Sequence, residues 1–137
     1  MSESVIKAHL GQLAYQTTLS SGTHQWVADV PSDLGGGDTG PTPHELLSSS
    51  LAACTSITVA MYAKRKNWPL EGIDVTVEVD NEQLAPEPAQ LQLSRTITFT
   101  GKLDAEQRQR LLEIADQCPI HKLLTGTISI NTTLMVK

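Results

Sequence analysis

With 137 residues, 39% of them apolar and only 4% aromatic, the chain is sized for one domain whose core must come from Leu, Ile, Val and Ala. The net charge of −5, with no basic run longer than Lys64-Arg65-Lys66, excludes nucleic acid as the main partner, because neutralising phosphates needs a basic face. No apolar run is long enough to cross a membrane and the start, MSESVIKAHLGQ, has no charged segment followed by an apolar one, so no membrane partner and no signal peptide are expected, and the expected compartment is the cytoplasm.

In chain order, residues 5–13, 15–19 and 24–30 alternate in short stretches around the turn SSGT and read as a strand meander. The Gly- and Pro-rich stretch PSDLGGGDTGPTP, residues 31–43, is loop. Its GGGDTG resembles a phosphate loop, but no Gly-Lys-Ser/Thr follows, so a flexible connection is expected. Thr42, Pro43 and Glu45 then spell a capping box at a helix start. The helix is expected to run to about Lys66, with Lys64-Arg65-Lys66 as its solvated end. Leu47, Leu51, Cys54 and Met61 follow one stripe of this helix, and Leu46, Ser50, Ala53, Ile57 and Ala60 the adjacent one. An apolar or small surface that wide implies cover on two sides, by sheet on one and by something else on the other.

Residues 73–81 and 91–101 alternate cleanly and are expected to pair antiparallel across a Pro-containing loop. Asp104 caps a second helix, residues 105–118. Pro119 interrupts it and opens a short one, PIHKLL. TISINTTLMV, residues 127–136, reads as a last strand. The sum is α+β with a mostly antiparallel sheet. A chain this short leaves much of its surface exposed, so sharing a core with a second copy would help it.

The chemistry centres on two cysteines, Cys54 and Cys118. In a reducing compartment such a pair is seldom a structural staple, which leaves two inert buried thiols or a redox pair. Cys118 is followed by His121 at helical spacing. A cationic His121, or the N-terminus of the short helix, would lower the Cys118 pKa; the alternative is a small residue closing one helix, with His121 satisfied by backbone. Cys118-x-x-His121 is half a zinc motif without the other half, and Cys54, His9, His24 and His44 are scattered, so no metal and no other cofactor is expected.

GPTPHELLSSSLAACTSITVAMYAKRKNWPLEGIDVTVEV, together with the later IADQCPIHKLL and TISINTTL, resembles the OsmC/Ohr family of osmotically inducible and organic hydroperoxide resistance proteins, from about Gly35 to Leu134. The resemblance implies a single OsmC-like domain, residues 1–137, with mostly antiparallel sheets wrapped around two long central helices in an intertwined homodimer. It implies active sites at the dimer interface, with Cys54 as peroxidatic nucleophile and Cys118 as resolving thiol. The implied partners are a second copy of the chain, an organic hydroperoxide substrate and an external dithiol reductant. A thiolate attacks the peroxide O–O bond and becomes a sulfenic acid, which a second thiol condenses to a disulfide for the dithiol to reduce.

The chain departs from the family pattern at the activating groups. An ordinary thiol with a pKa of about 8.5 is only about 3% ionised at pH 7, and bringing it to about 6 takes roughly 3.4 kcal/mol. One cation at about 4 Å supplies that at an effective dielectric near 20. In the hydroperoxide reductases that cation is an N-terminal arginine held by a glutamate near the start of the long helix. This chain has no arginine before Arg65; Lys7, His9 and His24 are the basic residues there. The family glutamate falls at His44, one residue before Glu45, and one residue is about 100° around a helix. Glu45 has a role in the capping box, while His44 is a possible activating cation or an exposed residue. Two further readings stay open: a non-catalytic dimeric module binding an apolar small molecule beside Cys54, favoured by the missing arginine, and acyl transfer with His121 or His44 as base.

Overall fold

The computed structural model describes residues 5–136. It divides into an N-terminal unit up to Ser48 and a C-terminal unit from Ser49 onward.

In the first unit, β1 (Lys7–Leu10), β2 (Thr17–Ser20) and β3 (Gln25–Ala28) form the expected antiparallel meander, each strand cut to four residues. Ala8 pairs with Leu19 and Leu19 with Trp26. The Gly-rich connection that follows is not a free loop. A 3-10 turn at Ser32–Leu34 starts it, and the buried carboxylate of Asp29 fastens the rest. That carboxylate accepts from the Thr39 hydroxyl at 2.6 Å, the Val30 amide at 2.8 Å and the Thr39 amide at 3.1 Å. The amides of the phosphate-loop-like stretch are spent within the chain: Thr39 on Asp29, and Gly35, Gly36 and Asp38 on the carbonyls of Ser32, Pro31 and Val30. A Cβ at Gly36 would stand 2.1 Å from the Val30 carbonyl oxygen, and one at Gly40 would stand 2.3 Å from that of Val27, so the fastening needs glycine at both places.

The helix α1 (Pro43–Arg65) starts and stops where its caps dictate. The Glu45 amide donates to Thr42 Oγ1 at 3.1 Å and the Thr42 amide donates to Glu45 Oε1 at 2.9 Å, the reciprocal pair of a capping box. Beyond Arg65, Asn67 takes the left-handed conformation, φ 58°, that ends a helix.

In the C-terminal unit, β4 (Leu70–Gln83) and β5 (Gln90–Gly101) pair antiparallel as a long two-stranded ribbon, irregular between Leu70 and Gly72 and between Val79 and Asn81. Asp104 caps α2 (Ala105–Ala115), its carboxylate accepting from the Gln107 amide at 2.8 Å. Pro119 opens α3 (Pro119–Leu124), as read from the sequence.

The core of this unit is Val59, Ala63, Leu103, Leu111, Ile114 and Ala115, flanked by Tyr62, Trp68, Leu70, Ile73, Ile97 and Phe99. The buried seam of α1 is Leu51, Thr55, Val59 and Ala63, stepping by four residues. The expected stripe through Leu51, Cys54 and Met61 is thus corrected: Leu51 is buried, Cys54 is half-buried and Met61 is 66% exposed. Ile57 is 54% exposed on the same helix, so one side of it is uncovered within the chain.

Two further expectations change. α1 has 23 residues with a mean hydropathy of 1.4 in its most apolar window, so length and composition do not exclude a membrane span for it; its seam into the core is that of a packed helix. Residues 127–136 form no strand, although their sequence alternates. Strand structure needs a ladder partner, and this segment finds none among the described residues. Ile128, Ile130, Leu134, Met135 and Val136 are between 62% and 89% exposed.

Candidate active site

Cys54 sits mid-helix on α1, one residue before the buried Thr55, and is half-buried. Cys118 is fully buried and forms the N-cap of α3. Its sulfur accepts from the His121 amide at 3.4 Å, a capping role that the sequence reading did not assign. The break that Pro119 imposes between α2 and α3 turns this sulfur inward, and each thiol influences the ionisation of the other.

That interaction separates their acidities. Burial alone would push the Cys54 thiol up, but the hydrogen bond from the Cys118 thiol, the Ile120 amide and the Thr58 hydroxyl together outweigh it and hold Cys54 below its ordinary value. Thr58 Oγ1 lies 3.9 Å from the Cys54 sulfur, one helical turn on. Cys118 moves the other way: burial pushes it up, its bond to Cys54 and the Cys54 charge add to that, and the amides of His121 and Ile120 oppose without prevailing. Of the two readings left open for Cys118, the direction of its shift speaks against lowering by the short helix or by His121, because dehydration exceeds what two amides return. Cys54 is the group that ionises first, and Cys118 is the proton holder.

The other candidate residues divide by unit. Lys7 and His9 lie on β1, and His24 stands in the β2–β3 turn, where its carbonyl accepts from the Ser21 amide at 3.0 Å. His44 and Glu45 lie in the first turn of α1, with Glu45 in the capping box. His121 is on α3 beside the thiol pair, its ring Nδ1 3.9 Å from Asp116 Oδ1. The groups that lower Cys54 are hydrogen-bond donors of the C-terminal unit: Cys118, Ile120 and Thr58. Among the described residues no cluster of three or more His, Cys, Asp or Glu has the arrangement of a metal site.

Sequence reasoning missed Thr58, the Ile120 amide and Arg95. Arg95, on β5, donates to Thr55 Oγ1 at 3.0 Å and to Asp116 Oδ1 at 2.7 Å. Its signal was available: β5 alternates Leu93, Arg95, Ile97, Phe99 toward the protein, and a cation in that series is out of place.

A cavity of about 680 Å³ opens in the C-terminal unit, lined by Arg95, Asp116 and His121 but by neither cysteine. Leu51, Leu91, Leu93, Ile97, Leu112 and Leu124 make its apolar wall, while Arg95, Asp116 and His121 supply polar groups. The volume falls in the range of small-molecule sites.

A comparison with curated proteins gives no match. Among solved structures, the OsmC-like protein of Mycoplasma pneumoniae is similar to this chain with a TM-score of 0.77 at 21% identity, covering 91% of this chain and 89% of the other. The organic hydroperoxide resistance protein OsmC of Legionella pneumophila gives 0.71 at 24%, covering 92% and 91%. An organic hydroperoxide resistance protein of Elizabethkingia anophelis gives 0.71 at 21%, covering 92% and 90%. These likenesses establish the fold, which is α+β and OsmC-like. The family profile described as OsmC-like protein matches residues 35–133, and with that match the chain belongs to the OsmC family.

Proposed function

We propose that the protein is a thiol-dependent peroxide reductase acting on organic hydroperoxides, with Cys54 as nucleophile and Cys118 as resolving thiol. What supports this reading is the placement of the two thiols, Cys54 half-buried on α1 and Cys118 buried at the N-cap of α3 with the two segments joined through Arg95, and the opposed direction in which their surroundings move them, down at Cys54 and up at Cys118. A peroxidatic thiol has to be ionised at the start, and its resolving partner has to wait with its proton on.

The shifts also order the steps. While Cys54 is a thiolate, its charge and its hydrogen bond keep Cys118 protonated. The thiolate attacks the O–O bond, the alkoxide leaves and takes a proton, and Cys54 becomes a neutral sulfenic acid. Both groups that Cys54 used to raise Cys118 then vanish. Burial still opposes ionisation of Cys118, but with the contributions of Cys54 gone the His121 and Ile120 amides ease it, and the Cys118 thiolate attacks the sulfenic sulfur and releases water. An external dithiol closes the cycle, and the cytoplasm, with its reduced thiol pool, is the compartment that suits it.

The active form in this reading is a homodimer, and the full chain acts as one domain within it. The uncovered Ile57 and Met61 on α1, the unladdered residues 127–136 and the two-stranded β4–β5 ribbon each call for cover that a second copy would give.

With cumene hydroperoxide and dithiothreitol, the parent protein should turn over and Cys54→Ser should lose turnover; without dithiothreitol, Cys118→Ser should consume one equivalent and hold the sulfenic acid, where the parent forms the 54–118 disulfide. Turnover that survives in Cys54→Ser would remove the assignment. The second reading, a non-catalytic module binding an apolar small molecule, is favoured by the largely apolar cavity of the C-terminal unit and by the absence of arginine before Arg65. A parent protein without turnover that still binds an apolar ligand would establish it.

A further inference from the structure

Arg95 keeps only 13% of its side chain exposed, in a row of inward-facing β5 residues that is otherwise apolar. A cation so placed needs a full set of acceptors. It finds them on the two segments that carry the cysteines. Nη1 donates to Thr55 Oγ1 at 3.0 Å and to the Ala115 carbonyl at 3.4 Å, and Nη2 donates to Asp116 Oδ1 at 2.7 Å. Thr55 follows Cys54 on α1 and itself donates to the Leu51 carbonyl at 2.7 Å. Ala115 ends α2, and Asp116 lies two residues ahead of Cys118.

We infer that Arg95 is a positioning residue for the thiol pair: its forked guanidinium fixes the Cys54 turn of α1 against the α2–α3 junction, so that the two sulfurs stay within bonding reach. The inference rests on reading Cys54 and Cys118 as a redox pair. It needs no contact between Arg95 and sulfur, since the groups that lower Cys54 are Cys118, Ile120 and Thr58. A disulfide demands sulfurs about 2.05 Å apart and Cβ atoms about 3.8 Å apart. Segments far apart in sequence meet that demand only if something holds them, and misplacement by about 1 Å can cost about a hundredfold in rate. A guanidinium reaches both segments at once because its donors diverge from one rigid plane; an ammonium is a single point.

The step Arg95 serves is the second one. The Cys118 thiolate attacks the Cys54 sulfenic sulfur, the S–S bond forms, the S–O bond breaks, and the hydroxide leaves as water with the proton that Cys118 gave up. The same pair closes without peroxide when oxidised glutathione accepts the two electrons and becomes two reduced thiols.

The intact protein is equilibrated in glutathione redox buffers without peroxide, and the 54–118 disulfide is quantified by thiol alkylation and mass spectrometry. This yields the effective concentration of one thiol at the other. Arg95→Met should lower it about tenfold to a hundredfold. Arg95→Lys, which keeps the charge without the fork, and Thr55→Val, which removes one arm, should each lower it by less. The pH midpoint for alkylation of Cys54 should rise with the loss of effective concentration, because a loosened pair weakens the Cys118 and Ile120 hydrogen bonds that lower Cys54. Circular dichroism establishes which variants are folded; if Arg95→Met is not, Arg95→Lys and Thr55→Val carry the test. An unchanged effective concentration in folded Arg95→Met, or in both milder variants, overturns the role. A parent protein forming no 54–118 disulfide overturns it together with the redox-pair reading. A parent that forms the disulfide and shows the Arg95 losses, yet turns over no hydroperoxide, supports the positioning role and removes only the peroxidase assignment.

Discussion

Two charged side chains in this protein face the same difficulty, a charge withdrawn from water, and meet it in different ways. Asp29, after β3, spends its carboxylate on amides and a hydroxyl no more than ten residues away, and the result is a locally fastened loop. Arg95, on β5, spends its guanidinium on groups 20 to 40 residues away, and the result joins α1 to the end of α2. A charge satisfied locally organises one loop. A charge satisfied at long range makes the geometry of one element depend on another, which is what a reaction between distant thiols requires.

The largest effect expected on the local side comes from Gly36→Val. The Val30 carbonyl oxygen and the Asp29 carboxylate occupy the space its side chain would enter, so a loss of about 3 kcal/mol or more is expected in urea unfolding. Wild-type stability would mean that the loop does not depend on Asp29 at all.

On the long-range side, Thr55→Val and Arg95→Met should each cost about 1–3 kcal/mol. Their double-mutant cycle should show coupling of about 0.5–3 kcal/mol, since each removes the other's partner. Additive losses would reduce Arg95 to two unrelated contacts.

Asp29 should show itself mainly in acid. The Thr39 hydroxyl, with the amides of Val30, Thr39 and Gly37, holds its carboxyl below the ordinary 3.8 against burial. The stabilisation is therefore complete above that ordinary value and is lost as the pH falls through the lowered one. Thermal melts of Asp29→Asn should be less stable than the parent at neutral pH, with the gap narrowing toward pH 3. A gap that widens in acid would reverse the assignment.

The smallest effect is the cap of α1. Thr42→Ala should cost about 1 kcal/mol, and Glu45→Gln a fraction of that, because Gln still accepts from the Thr42 amide. A collapse of peroxide turnover in folded Glu45→Gln would show that Glu45 does more than cap.

What was legible in the sequence divides along the same line. The capping box at Thr42, the cap at Asp104, the break at Pro119 and the β4–β5 alternation are governed by neighbours within a few residues, and the structure has them where the sequence put them. The buried seam of α1 was misread because small residues make both candidate stripes equally apolar, and only the core decides between Thr55 and Cys54. The strand expected at 127–136 failed for a related reason: alternation reports a capacity to pair, and pairing takes a partner. The cysteines were visible as a pair, yet a cation was sought for Cys54, whereas a thiol, an amide and a hydroxyl bring its pKa down. No spacing rule connects Thr58, Ile120 and Cys118. Asp29 and Arg95 were overlooked as single charges, although Arg95 stands at an inward-facing position of an alternating strand and Asp29 directly follows the buried end of β3.

The central claim is that Cys54 ionises before Cys118 because Cys118 donates to it. It is tested most directly by following the alkylation rate of each cysteine against pH, with the sites resolved by mass spectrometry, in the parent and in Cys118→Ala. The prediction is that Cys54 reacts first, with a midpoint below that of a free cysteine, and that the midpoint rises when the Cys118 thiol is removed. A Cys54 midpoint at or above the free value in the parent, or one indifferent to Cys118→Ala, would contradict it.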